Sequence, residues 1–110
     1  MVNPVQKKEK KEMKIITVCG SLKFKEEMMR EAIRLELEGN IVLTPLFPLK
    51  EEDMPTKEEG NLLGNMHKEK IKISDGIFVI NVGGYIGEST QSEIALAKSL
   101  HKEVKYLEEI

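Results

Sequence analysis

The sequence predicts an α/β domain built on a small parallel sheet, and three observations carry that prediction. Short β-branched runs alternate with stretches of helical periodicity, the first run stops at a glycine-serine pair, and Ile77 to Val82 (IFVINV) is apolar on both faces apart from Asn81. Strands that alternate with helices belong to parallel sheets, which are covered on both faces and lose the in-out alternation of a half-exposed strand.

Lys14 to Cys19 (KIITVC) reads as the first strand, ending at Gly20-Ser21. Ser21 offers an oxygen to the free N–H groups of a helix start. Beyond it, Phe24, Met28, Ala32 and Leu35 recur at helical spacing, widened by Met29, Ile33 and Leu37. Gly39-Asn40 closes this helix. Ile41 to Thr44 is a second strand, followed by a loop with Pro45, Pro48 and Pro55 that reads either as a lid or as a proline-stiffened connection. Thr56-Lys57-Glu58-Glu59 has the form of a capping box. The helix it starts carries Leu62, Leu63, Met66 and Ile71 to an end near Ser74-Asp75-Gly76, with Gly60 and Gly64 each weakening it by about 1 kcal/mol relative to alanine. Ile77 to Val82 is the central strand. After the turn Gly83 to Gly87, Ser89 or Thr90 caps a third helix carrying Ile94, Ala95, Ala97 and Leu100, and Val104 to Leu107 is the last strand. The order gives a Rossmann-like three-layer sandwich with a small parallel sheet of four to five strands and right-handed crossovers.

The 110 residues suit one domain over 14–110, preceded by a charged tail over 1–13 that has too little apolar surface to fold on itself. With 17 basic and 19 acidic residues and a net charge of -2, the chain builds no positive field for nucleic acid. Its one cysteine forms no internal disulfide. No run approaches the ~20 apolar residues of a membrane span, and the amino terminus lacks a secretory apolar stretch. A cytoplasmic protein with no nucleic-acid and no membrane partner is expected.

In open parallel sheets, ligands bind beyond the carboxyl ends of the strands, where helix N-termini present free N–H groups. Two segments qualify, Gly20-Ser21 and Asn81 to Glu93 (NVGGYIGESTQSE). In the second, Gly83, Gly84 and Gly87 permit close approach of a ligand, and Ser89 and Thr90 add donors suited to a phosphate or carboxylate. Glu93, read as lying in the first helical turn, points back at the turn or closes a capping box with Thr90. The GxGxxG and GxxxxGK[ST] patterns are absent, so neither dinucleotide nor nucleoside-triphosphate chemistry is supported. His67 reads as a partly exposed helix residue, His101 as a favourable charge near a helix C-terminus and Cys19 as a small buried hydrophobe. No His/Cys cluster has the spacing of metal ligands, so neither metal nor cofactor is expected.

Taken in order, Gly20-Ser21 after the first strand, Ser74-Asp75 ahead of the apolar strand, the glycine turn and Glu93-Ile94-Ala95-Leu96-Ala97 resemble the nucleoside 2-deoxyribosyltransferase superfamily, which includes the deoxynucleoside monophosphate N-glycosidases. The resemblance spans about residues 14 to 108 and rests on short motifs. It implies a Rossmann-like fold and cleavage of the N-glycosidic bond of a 2'-deoxynucleoside or its 5'-monophosphate, with Glu93 as the nucleophile. It further implies that Gly20 and Ser21 line the pocket, that Asp75 and Asn81 organise the sugar and nucleophile, that Ser89 and Thr90 face the 5' end, and that the protein is a homodimer or larger assembly. The chain departs from the family at Asn81, about where relatives commonly carry an acid, and at Ala95, where glycine is usual, which leaves the proton donor to the base unassigned. A non-catalytic nucleotide-binding module or sensor of the same fold is the alternative, with a purely structural subunit behind it. Less closely, Gly83-Gly84-Tyr85, Gly87 and Glu93 resemble the PGGxGTxxE motif of the lysine-decarboxylase-like nucleotide phosphoribohydrolases.

Overall fold

A computed structural model describes residues 13–109, so the charged tail read from residues 1–13 lies outside the described residues apart from Met13. Strands β1 (Ile15–Gly20), β2 (Ile41–Leu43), β3 (Gly76–Ile80) and β4 (Glu103–Tyr106) alternate with helices α1 (Lys25–Leu37), α2 (Lys57–Ile73) and α3 (Glu88–Ser99). The strands form one sheet in the order β2-β1-β3-β4, and every neighbouring pair is parallel. This is a small α/β sandwich of Rossmann-like type, with four strands among the described residues where four to five were predicted. None of the described helices is long and apolar enough to cross a membrane.

Alternation along the strands decides what each layer buries. The register pairs Val18 with Phe78 and Cys19 with Val79, and successive side chains leave a strand on opposite faces. Val18, Phe78 and Ile80 therefore pack with Phe24 and with Met28, Ala32 and Leu35 of α1. Cys19, Ile77 and Val79 point the other way, against Ile71 of α2 and Ile94 and Ala97 of α3. The stripe on α1 is narrower than its periodicity predicts: Met29, Ile33 and Leu37 stay at the surface, Leu37 with 75% of its area exposed. A helix lying on one face of a sheet buries only the stripe that faces it.

The helix ends follow local chemistry, with two departures from the sequence reading. Ser21 caps a short 3-10 turn, Leu22–Phe24, by accepting from the Lys23 N–H at 3.3 Å, and α1 begins only beyond it. The capping box of α2 is complete: Glu59 N–H donates to Thr56 Oγ1 at 3.1 Å and Thr56 N–H to Glu59 Oε1 at 2.9 Å. At α3 the N-cap position belongs to Gly87, which has no side chain to offer, so neither Ser89 nor Thr90 caps the helix and no Thr90–Glu93 box forms. Glu93 consequently lies in the second turn of α3, deeper in the fold than the first-turn position read from the sequence.

Candidate functional site

The strand order reverses between β1 and β3, and in open α/β sheets that reversal opens a crevice at the carboxyl ends of the strands. A cavity of about 680 Å³ lies there, bounded by Gly20 and Leu22, by the proline loop from Pro45 to Pro55, by Gly60, Gly64 and His67 of α2, and by Ser89 and Glu93 of α3. The proline loop is thus a wall of the cavity. Gly60, Gly64 and His67 share one face of α2 because residues three and four apart are neighbours on a helix. A Cβ added at Gly60 or Gly64 would meet no atom within 4 Å, so these glycines leave open space along the cavity. Gly20 differs. A Cβ there would stand 3.1 Å from Ile80 Cβ and 3.2 Å from the Ile80 carbonyl, so a side chain at this position would press on β3 where it approaches β1 closely.

Three side chains from three elements converge at the inner end of this cavity. Cys19 Sγ of β1 lies 3.5 Å from His67 Nε2 of α2, and the same nitrogen lies 3.8 Å from Glu93 Oε1 of α3. His67, read from the sequence as partly exposed, is only 5% exposed, and Cys19 is fully buried. The helical period explains the histidine: His67 stands one turn before Ile71, the most buried residue of α2. No local motif reveals the cluster, since Cys19 and His67 are 48 residues apart in the chain. The usable signal is parity, which sends Cys19 to the face of the sheet covered by α2 and α3.

Burial sets the protonation of the cluster. It pushes the Glu93 carboxyl up to about 7, against smaller downward pulls from the Cys19 hydrogen bond and the Lys68 charge. It pushes the His67 imidazole down to about 4, with the positive charge of Lys70 adding to the effect. The Cys19 thiol is held well above its ordinary range by burial first, then by the charge of Glu93 and the hydrogen bond to it. At neutral pH the imidazole is uncharged, so the 3.8 Å approach of His67 to Glu93 is not an ion pair. Nor is the cluster a nucleophile–base–orienter relay, in which a histidine uses both ring nitrogens. Here Nε2 faces both neighbours, while the buried Nδ1 has no hydrogen-bond partner among the described residues.

Of the residues singled out in the sequence, Gly20, Ser89 and Glu93 line the cavity. Asp75 does not reach it: it stands at the amino end of β3, the length of the strand away, where its Oδ2 accepts from the Ile15 N–H at 2.8 Å. Asn81 is fully buried at the carboxyl end of β3, but both ends of its amide are engaged. Nδ2 donates to the Glu108 carbonyl at 2.9 Å and Oδ1 accepts from the Glu108 N–H at 2.8 Å. Ser21, Gly83, Gly84, Gly87 and Thr90 are not among the cavity-lining residues. Gly83, at φ 65°, turns the chain after β3 and donates its N–H to Glu108 Oε2 at 3.1 Å. The approach that the glycines leave open is thus taken at Gly83 by a carboxylate of the chain itself. Thr90 is buried in α3.

A second cleft of about 660 Å³ lies on the α1 side of the sheet, where Arg34, Glu38, Glu103 and Lys105 contribute to its lining. Its charges are largely matched within it: Arg34 pairs with Glu38 at 2.7 Å and Lys14 with Glu103 at 3.7 Å. The shifted titrations of Glu93 and His67 belong to the first cavity, which makes it the candidate site. In comparisons with known proteins, no family model matches the chain and no curated protein matches it.

Proposed function

We propose that the protein cleaves or transfers the N-glycosidic bond of a 2'-deoxynucleoside or its 5'-monophosphate, with Glu93 as nucleophile. The observation that carries this reading is the position of Glu93, a carboxyl group shielded from water on the wall of a cavity of about 680 Å³ beyond the carboxyl end of β1. That volume lies within the roughly 300–1,000 Å³ usual for small-molecule sites. Phe47, Leu63 and Met66 offer apolar surface to a base, and Lys70 and Ser89 offer polar groups to a sugar or its 5' end. A carboxylate withdrawn from water interacts more strongly with a cationic sugar carbon than a hydrated one does.

In the proposed step, a Glu93 oxygen bonds to the anomeric carbon as the carbon–nitrogen bond breaks. The bonding pair leaves with the base, which takes up a proton from solvent. Water or a second base then displaces the glutamate from the sugar, as in retaining glycosidases. Incubation with a panel of deoxynucleosides and their monophosphates, with release of free base as the readout, tests the reading. Release by the wild type and its loss in Glu93→Ala are expected; release that survives Glu93→Ala removes Glu93 as nucleophile. Ribonucleoside monophosphates in the same panel test the phosphoribohydrolase alternative.

One observation favours a second reading, a nucleotide-binding module without catalysis. Asp75 and Asn81, the polar partners that the resemblance implies, are engaged in backbone hydrogen bonds. Binding without base release establishes that reading. A cytoplasmic setting and self-association belong to the same proposal. The exposed apolar side chains of Met29, Ile33 and Leu37 on α1 favour a homo-oligomer. Sedimentation is expected to give a dimer or larger species that Ile33→Glu shifts towards monomer.

A further inference from the structure

We propose that Cys19, His67 and Glu93 form a three-ligand zinc site whose fourth coordination position opens into the cavity. The donor set is a thiol, an imidazole and a carboxylate, the three side-chain types that zinc takes, and three protein ligands with one open position is the pattern of reactive rather than purely structural zinc. The distances fit. Donors bound to one tetrahedral zinc at its usual bond lengths stand about 3.4–3.6 Å apart. Sγ and Nε2 here are 3.5 Å apart, Nε2 and Oε1 3.8 Å, and all three donor atoms lie within 4.8 Å of one another. Closing the Nε2–Oε1 pair takes a few tenths of an ångström, and the pair between Sγ and the carboxylate, at most 4.8 Å apart, closes by up to about 1 Å through a change of the Glu93 rotamer.

The arrangement also has the right direction and support. His67 turns one nitrogen towards both neighbours, which is the geometry of groups sharing a common centre. Each donor comes from a different strand or helix, so the site is held by the fold and not by a loop. His67 and Glu93 border the cavity while Cys19 lies behind them, which directs the open position towards the space where a water or a ligand heteroatom would bind. The thiolate selects zinc over magnesium and calcium, which prefer oxygen donors. On binding, the Cys19 thiol loses its proton to solvent, as does Glu93 wherever it is protonated, and the two ligand charges of Cys19 and Glu93 then offset the dication, leaving no net charge in the buried cluster.

The site stands on these distances whether or not the cavity cleaves a glycosidic bond. If it does, zinc holds the Glu93 carboxylate and turnover requires its release, so zinc inhibits base release and a chelator restores it.

The test is a titration of the full-length, chelator-treated protein with cobalt(II) as a spectroscopic probe. The expected result is the intense visible absorption of tetrahedral cobalt together with a near-ultraviolet thiolate charge-transfer band. Both saturate at one ion per chain and are bleached by added zinc. Since Cys19 is the chain's one cysteine, a thiolate band reports that residue alone, and Cys19→Ser abolishes it. His67→Gln and Glu93→Gln, each checked for folding by circular dichroism, are expected to weaken cobalt binding at least about 10-fold, the lower end of what a lost supporting contact to a metal ligand costs. A folded wild-type protein that gives only the weak spectrum of hydrated cobalt overturns the proposal. So does unchanged affinity in all three variants. Base release measured in chelator is scored separately, so failure of the zinc site and failure of the proposed reaction are distinguishable.

Discussion

Glu93 and His67 are pushed in opposite directions by the same burial, and pH-dependent stability is where that opposition becomes measurable. A carboxyl raised from 4.5 to about 7 binds more protons in the folded than in the unfolded chain between those values, so its contribution to stability falls as pH rises through that window. An imidazole lowered from 6.5 to about 4 binds fewer protons when folded, so its contribution rises with pH over 4 to 6.5. The two slopes oppose each other in the metal-free wild type. Melting temperatures in chelator should therefore show a stability that rises from pH 4 to 6.5 in Glu93→Gln, where His67 acts alone. In His67→Gln, stability should fall from about pH 4.5 to 7. Identical profiles for the two variants would contradict this assignment. In the proposed reaction the nucleophile is the ionised form, so kcat/KM for base release should climb with pH through about 7 and level above it. Of these residues, Glu93 was legible in the sequence because it follows a glycine turn after a central strand. His67 and Cys19 were not, because their meeting depends on which face of the sheet α2 covers, a tertiary fact absent from any local pattern.

The helices show how far local rules reach. The capping box at Thr56 was readable from four residues and is fully formed, and Thr56→Ala should lower stability by about 1 kcal/mol in urea denaturation. The turn before α3 misled the same reasoning, since Ser89 and Thr90 are the second and third residues of a helix whose cap is Gly87. Gly60 and Gly64 read in the sequence only as weaknesses of α2. Their placement on the cavity wall gives them a second meaning, and Gly64→Ala separates the two. Higher helix propensity should raise stability by up to about 1 kcal/mol, while the added methyl narrows the cavity and raises KM for the proposed substrate. Higher stability with unchanged KM would mean that ligands do not use that wall.

At the scale of the molecule, the alternation of strands and helices was sufficient to identify a parallel α/β sandwich, because buried strands and amphipathic helices bury their surface together in few ways. Sheet order was beyond reach, and with it the crevice between β1 and β3. Asn81 illustrates the difference. Its position after the apolar strand invited a role in the site, yet its amide joins the end of β3 to the backbone beyond β4 through two hydrogen bonds to Glu108. Asn81→Ala removes both and should cost about 1–3 kcal/mol of stability, with base release per folded molecule retained. The central claim is that Glu93 itself takes the sugar. Peptide mapping by mass spectrometry of protein quenched during turnover of a deoxynucleoside should find a deoxyribosyl adduct on the peptide containing Glu93, absent in Glu93→Gln. Base release with no adduct on that peptide, or with the adduct on another residue, would contradict it.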